Sequence, residues 1–228
     1  MLEKYMEEQN LVTTVLKKSL KNDKLVQAYL FSSDDIDYIY KYAKDFSKDI
    51  ISLSGLPSET LENIYKRIDK DEYTELKVVE PDGNTIKKSQ LIELQNSVST
   101  KPVEANKIIY IIKNCEKLNS SSANCILKFL EEPEDDIIAI LLTDNINMVL
   151  PTIKSRCQIL NFKNNNSNKM KNILFFVGLD ITDEDKEKFI HNSIDFLMNI
   201  EKYKINTMIK VKKLAYDVYK TSDDFLIL

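Results

Sequence analysis

The residues that could perform metal or thiol chemistry are few and widely spaced in this sequence. The chain contains one histidine, His191, and three cysteines, Cys115, Cys125 and Cys157, none of them in a CxxC pair. Neither a disulfide framework nor a tetrahedral zinc site can be assembled in the usual way from this set. We therefore expect no metal site, and we interpret the cysteines as core or near-core thiols.

Phosphate chemistry is restricted by the glycine content. Only three of the 228 residues are glycine, which excludes a phosphate cradle that depends on a run of glycines. The formal net charge of −4 argues against a protein whose main activity is to bind a nucleic acid backbone by itself.

No segment of the sequence predicts membrane insertion or export. The longest apolar runs, such as Ile137 to Leu142, are far shorter than the roughly 18 to 20 residues that span a bilayer. The first residues carry Glu3, Glu7 and Glu8 instead of a basic start followed by an apolar core, so we expect no signal peptide there. We expect a cytoplasmic protein that does not contact a membrane.

Short apolar strands alternate with amphipathic helices along residues 1–162, which is typical of an α/β fold. Two of the strands are apolar enough to be buried on both faces of a parallel sheet. Ser58 and Asn119 are expected to be helix N-caps, and Pro133 is expected to end the helix that Asn119 begins. The predicted strands are 27–31, 75–80, 107–112, 137–142 and 157–162, and the predicted helices include 9–20, 36–51 and 89–97.

The predicted strands stop after Phe162. A polar stretch rich in Asn and Lys follows at 163–171, and the remaining sequence has only helical patterns. We place a domain boundary near residue 163. The chain stops in the apolar run 225–228, which suggests a truncation.

Three motifs follow one another at a specific separation in the second half of the α/β region. They are LKFLEEP at Leu127–Pro133, LLTDN at Leu141–Asn145 and LPTIKSRCQ at Leu150–Gln158. With these motifs the sequence resembles the clamp-loader branch of the AAA+ ATPases and, within it, the delta-prime family of bacterial DNA polymerase III. The resemblance covers about residues 10–200.

The resemblance implies an α/β fold with a division into domains. Residues 1–162 would form a three-layer AAA+ domain of the P-loop type with a degenerate nucleotide site. Residues 163–200 would form a small all-α lid domain, and residues 201–228 would begin a truncated helical collar.

The family's nucleotide site is degenerate in this chain. The glycine-rich GxxxxGK[ST] loop is replaced by Ser32, Ser33, Asp34, Asp35, Ile36 and Asp37, which contain neither Gly nor Lys. Lys113 and Asn114 stand where the metal-binding and catalytic acids would follow a strand, and Lys113 is expected to be solvated in an empty pocket. Without phosphate and Mg²⁺ ligands we expect no nucleotide cofactor and no ATP hydrolysis. Residues 52–75 contain no cysteine, so the four-cysteine zinc module of related subunits is not carried over.

Arg156, in the motif Ser155-Arg156-Cys157, retains a role that the resemblance implies. In clamp loaders the arginine of this motif points into the ATP site of a neighbouring subunit and stabilises charge on the γ-phosphate, as an arginine finger does, and the resemblance implies the same role for Arg156. Outside this motif, Arg156 would more often form a surface salt bridge. Ser155 and Cys157 are expected to be packing and capping residues. The acidic pair Glu131-Glu132 is unfavourable at a helix end and indicates either an outside partner or simple solvation.

The resemblance implies a non-hydrolysing stator subunit of the replicative sliding-clamp loader in DNA replication. The expected partners are a gamma/tau-like ATPase subunit and a clamp-opening delta-like subunit, with the sliding clamp and primed DNA reached through the complex. Two alternatives remain: an active clamp-loader ATPase with an unorthodox site, and a stand-alone AAA+ DNA-binding module. Nucleotide binding distinguishes the first, and salt-dependent retention on primed DNA distinguishes the second.

Overall fold

A five-stranded sheet forms the centre of the protein in a computed structural model that describes residues 1–99, 101–131 and 136–163. The strand order is β2-β3-β4-β1-β5, and every neighbouring pair is parallel. All five predicted strands are confirmed, with ends within one residue of those expected. The strands are β1 (Ala28–Ser32), β2 (Leu76–Val79), β3 (Ile108–Ile112), β4 (Ile137–Thr143) and β5 (Gln158–Asn161).

Six α-helices connect or flank these strands within the described residues, and the predicted helices are confirmed. Two 3₁₀ turns, Leu2–Tyr5 and Cys115–Lys117, lie before the first helix and after β3. The helices are α1 (Asn10–Lys21), α2 (Ile36–Ser52), α3 (Ser58–Asp69), α4 (Lys88–Val98), α5 (Ser120–Glu131) and α6 (Pro151–Lys154).

The helices cover both faces of the sheet and give three layers. Alternate residues of each central strand face opposite sides, so both faces must be apolar to be buried. On one face Phe31 and Ile111 pack with residues of α1, α2 and α3. On the other face Leu30, Tyr110 and Ile112 pack with residues of α4, α5 and α6. Every residue of β3 and β4 is buried, which confirms the three-layer α/β architecture.

The two predicted N-caps have different outcomes. Asn119 is confirmed, because its Oδ1 accepts a hydrogen bond from the Ser122 N–H at 2.9 Å. The prediction for Ser58 is wrong. Pro57, with φ −57° and ψ 147°, is the N-cap, and Ser58 is the first helical residue. The proline ring fixes φ, and the extended ψ of Pro57 leaves the helix to begin one residue later than expected.

Some predictions concern residues beyond this part of the chain. The expected helix end at Pro133, the lid domain at 163–200 except Lys163, and the collar start at 201–228 lie outside the described residues. Among the residues described, no helix is both long and apolar enough to cross a bilayer.

Candidate functional site

The segment Ser32–Asp37, which follows β1, is held by hydrogen bonds within the chain. The Ser33 N–H donates to the Thr143 carbonyl oxygen at 3.1 Å, and the Asp35 N–H donates to Ser33 Oγ at 3.2 Å. Asp35 caps α2, because its Oδ1 accepts from the Tyr38 N–H at 2.9 Å. The N-terminus of a helix after a phosphate-binding loop normally faces the anion. Here that helix end already holds a carboxylate of the same chain.

Lys113, directly after β3, lies in an ion pair. Its Nζ is 2.7 Å from Oε1 of Glu80 and 4.5 Å from the centroid of the Tyr40 ring, and its side chain is only 16% exposed. The expectation of a solvated lysine in an empty pocket is therefore wrong. The reason is the register of the sheet: Val79 pairs with Ile112, so the residues that follow β2 and β3 meet at the same edge.

Tyr40 of α2 connects this ion pair to a second one. Its ring contacts both Lys113 and Lys44, whose Nζ is 4.8 Å from the ring centroid, and its hydroxyl donates to Oδ1 of Asp71 at 2.6 Å. Lys44 also pairs with Asp71 at 3.2 Å. Burial and then the Asp71 carboxylate raise the pKa of Tyr40, which keeps its hydroxyl protonated as a donor. Lys113, which follows β3, is thus engaged both in an ion pair and in a cation–π contact.

Asn114 and Glu116 complete this edge of the sheet. Asn114 adopts a left-handed conformation with φ 51° and leads into the 3₁₀ turn. In that turn, Glu116 Oε2 accepts a hydrogen bond from the hydroxyl of buried Thr143 at 2.7 Å. No group of three or more His, Cys, Asp or Glu side chains within the described residues is arranged to hold a metal ion.

Arg156 lies at the other end of the sheet, immediately after α6. Its Nη1 donates to the Thr152 carbonyl oxygen at 2.8 Å and to Ser155 Oγ at 3.2 Å, and its Nη2 pairs with Glu131 Oε1 at 2.5 Å. The helix α6 begins at Pro151, so the proline sets the turn that carries the arginine. Arg156 is exposed and lines an open cleft of about 300 Å³ together with Val26 and Phe129.

The sheet separates Arg156 from the degenerate loop of its own chain. Gln158, at the start of β5, pairs with Tyr29 near the start of β1, whereas Asn161 pairs with Ser32 at the end of β1. Arg156 is five residues before Asn161, which corresponds to about 16 Å of extended chain. Arg156 and the Ser32–Asp37 segment therefore lie at opposite edges of the sheet.

Ser155 and Cys157 have structural contacts. Ser155 Oγ donates to the Thr152 carbonyl oxygen at 3.1 Å, which tightens the turn that carries Arg156. Cys157 is partly buried, and burial raises the pKa of its thiol to about 12. A thiol with that pKa stays protonated at neutral pH and is a poor nucleophile.

Three contacts of the candidate site residues were not identifiable from the sequence. Glu80 and Tyr40 are partners of Lys113, and Glu131 is the partner of Arg156. The acidic pair at the end of α5 indicated either an outside partner for these charges or simple solvation. The sequence offered no means of choosing between solvent, another protein and Arg156, which is 25 positions away.

Comparisons with known proteins agree with the motifs. The family described as "DNA polymerase III, delta subunit" matches residues 8–166. DNA polymerase III subunit delta′ of Bacillus subtilis is 38% identical over 154 residues, which are 67% of this chain and 46% of that protein. DNA polymerase III subunit tau/gamma of Haemophilus influenzae is 31% identical over 149 residues, 64% of this chain and 21% of that protein.

A solved structure supports the fold. The crystal structure of a DNA polymerase III gamma subunit-related protein from Thermotoga maritima has a TM-score of 0.52 at 19% sequence identity, covering 69% of this chain and 49% of that chain. The present chain spans less than half the length of these three proteins.

Proposed function

The chain belongs to the DNA polymerase III delta subunit family, and on this premise we propose that it is a delta-prime-like, non-hydrolysing stator of the replicative sliding-clamp loader. In this role it presents Arg156 in trans to the ATP site of a neighbouring gamma/tau-like ATPase subunit. A clamp-opening delta-like subunit is its other neighbour, and the complex loads the sliding clamp onto primed DNA. The proposed lid at 163–200 and collar start at 201–228 complete the arrangement.

The position of Arg156 carries this proposal. The side chain is exposed at the edge of the sheet opposite the Ser32–Asp37 segment, so it cannot reach a nucleotide bound by its own chain. A guanidinium that acts on a phosphate from this position must act on the nucleotide of another subunit. Arginines supplied in trans contribute on the order of 10³ to 10⁵ to the rate in GTPases.

The occupied edge of the sheet supports a role without hydrolysis. The Asp35 carboxylate takes the helix end that a phosphate would use, and Lys113 places a positive charge where a Mg²⁺ ligand would be needed. The Asp35 carboxylate would repel the phosphates, and the Lys113 ammonium cannot be a ligand of Mg²⁺ and would repel that ion. A subunit of this kind depends on its partner for turnover and serves as a fixed element of the ring.

The proposal is tested by ATP turnover of the gamma/tau-like ATPase reconstituted with the delta-like subunit, the clamp and primed DNA. The assay compares wild-type protein, Arg156→Ala and no added protein. We expect wild type to stimulate turnover above the level without added protein. We expect the stimulation by Arg156→Ala to be at least ten-fold smaller than that by wild type. Arg156→Lys keeps the charge but lacks the planar fork, so we expect only partial stimulation.

The matched control is Arg67→Ala. Arg67 forms an exposed bidentate pair with Glu104, so this change removes one arginine and one surface ion pair without touching Arg156. Co-elution of the subunits in the same samples shows whether each variant assembles. Equal stimulation by assembled wild type and Arg156→Ala would contradict the trans-acting role.

A further inference from the structure

Arg156 and Glu131 join two of the three motifs that carry the family resemblance, LPTIKSRCQ and LKFLEEP. Glu131 is the last residue of α5, and Arg156 follows α6; both helices pack on the same face of the sheet. A carboxylate at the C-terminal end of a helix is disfavoured by the helix dipole, and a guanidinium there is favoured. The pair at 2.5 Å therefore relieves an unfavourable charge at the end of α5.

The guanidinium of Arg156 has two kinds of anchor. The Thr152 carbonyl and the Ser155 hydroxyl belong to the turn that carries Arg156, and they hold Nη1. Glu131 belongs to a different helix and holds Nη2. Loss of the Glu131 contact would therefore leave the side chain still fixed at Nη1 and directed by its own turn.

The Glu131 contact is exchangeable. The side chains of Arg156 and Glu131 are 32% and 49% exposed, and ion pairs with this degree of exposure are weak because water screens them. While the contact lasts, the carboxylate cancels much of the charge that Arg156 could offer to a phosphate, and it repels the phosphate directly. A triphosphate bound by the neighbouring subunit and the Glu131 carboxylate would thus compete for Nη2 of Arg156.

From this competition we propose that Glu131 is the resident counterion of Arg156. In the free subunit Glu131 neutralises and holds the guanidinium, and on assembly the nucleotide phosphate of the neighbouring ATPase subunit displaces it. Glu131 is then a positioning residue that sets how readily Arg156 is released to the partner. This inference rests on the proposed function of Arg156.

The test is the substitution Glu131→Gln, which keeps the length and an acceptor oxygen but removes the charge. The measurement is the concentration of this protein that gives half-maximal stimulation of the partner's ATP turnover. We expect that concentration to fall about two- to five-fold, the range that corresponds to a weak exposed ion pair, with maximal turnover unchanged.

Two readouts separate counterion release from a general structural effect. The gain should be absent in an Arg156→Ala background, since there is then no guanidinium to release. It should also be absent when binding to the nucleotide-free partner is measured. Glu62→Gln makes the same charge change on the exposed surface of α3 and should behave as wild type.

The outcomes distinguish this inference from the function on which it rests. If Arg156→Ala stimulates turnover as wild type does, both proposals fail. If Arg156→Ala is inactive while folded Glu131→Gln needs an equal or higher concentration than wild type, the arginine finger stands and the counterion role is overturned. Thermal unfolding of each variant establishes that it is folded.

Discussion

Glu75 is a buried carboxylate that organises the loop before β3. Its Oε1 accepts from the N–H groups of Val103 and Glu104, and its Oε2 accepts from the Ala105 N–H at 2.9 Å and the Tyr73 hydroxyl at 2.8 Å. Burial raises the pKa of Glu75, but the Glu104 N–H, the Tyr73 hydroxyl and the other N–H donors outweigh burial and hold the pKa below its usual value. The ionised form is therefore the one that stabilises the fold.

The substitution Glu75→Gln should lower the free energy of unfolding by about 2 kcal/mol at pH 7, because one amide NH₂ replaces an oxygen that receives two donors. A depressed carboxyl pKa stabilises the fold above the pKa of the unfolded chain, about 4.3, and the contribution is lost as the pH falls through the folded pKa. The difference in the free energy of unfolding between wild type and Glu75→Gln should thus shrink below about pH 4. Urea unfolding of both proteins at several pH values from 7 to 3 measures this difference.

Glu93→Gln, on the exposed surface of α4, is the control and should change stability little. A Glu75→Gln variant that matches wild type at pH 7 would contradict the stabilising role of the carboxylate. Glu75 was not singled out in the sequence, because three of its four donors are backbone groups 28 to 30 positions away. By contrast, the sequence did single out Arg156 as a candidate, because its neighbours in the chain form a motif.

At the scale of elements, the local patterns were sufficient to predict the strands and helices. The apolar runs were enough to predict β3 and β4, and Asn119 was enough to predict where α5 begins. The pairing of strand ends was not predictable from such patterns, because it depends on the order of strands in the sheet. The Lys113–Glu80 pair exists because β2 and β3 are neighbours with Val79 opposite Ile112.

The end of β5 is tied to the start of α1 by one side chain. The amide of Gln9, which is 2% exposed, donates from Nε2 to the Lys163 carbonyl oxygen at 3.0 Å and accepts from the Lys163 N–H at Oε1 at 2.9 Å. The Gln9 side chain therefore makes hydrogen bonds with both the N–H and the carbonyl oxygen of Lys163, which follows β5. An amide is required there, since one contact needs a donor and the other an acceptor.

The substitution Gln9→Glu should lower the free energy of unfolding by about 1 to 3 kcal/mol at neutral pH, because it removes the donor and places a carboxylate against a carbonyl oxygen. The penalty relative to wild type should diminish at acid pH, where the introduced carboxyl is protonated and can donate again. Chemical denaturation at pH 7 and pH 4 checks both parts. An equal penalty at the two pH values would show that steric change, not the missing donor, causes the loss.

At the scale of the whole molecule, the parallel sheet explains why the two candidate sites differ so much. Parallel strands bring all their carboxyl ends to one edge, and here that edge holds Asp35, Lys113 and their partners. The amino ends lie at the other edge, where Arg156 is exposed beside a cleft. Because the two groups of residues lie at opposite ends of the strands, a change at one of them need not disturb the other.

This arrangement predicts that Mg-ATP does not stabilise the isolated protein. A ligand at 100 times its dissociation constant raises the free energy of unfolding by about 2.7 kcal/mol, which for a protein of this size corresponds to a rise of several degrees in melting temperature. We expect no saturable rise with Mg-ATP up to millimolar concentration, and the gamma/tau-like ATPase serves as the positive control. Lys113→Asp should not create binding, because the Asp35 carboxylate still caps α2 and the loop still lacks glycine and lysine. A saturable rise with wild type would instead favour an unorthodox nucleotide site, since only a ligand that prefers the folded chain can raise its melting temperature in this way.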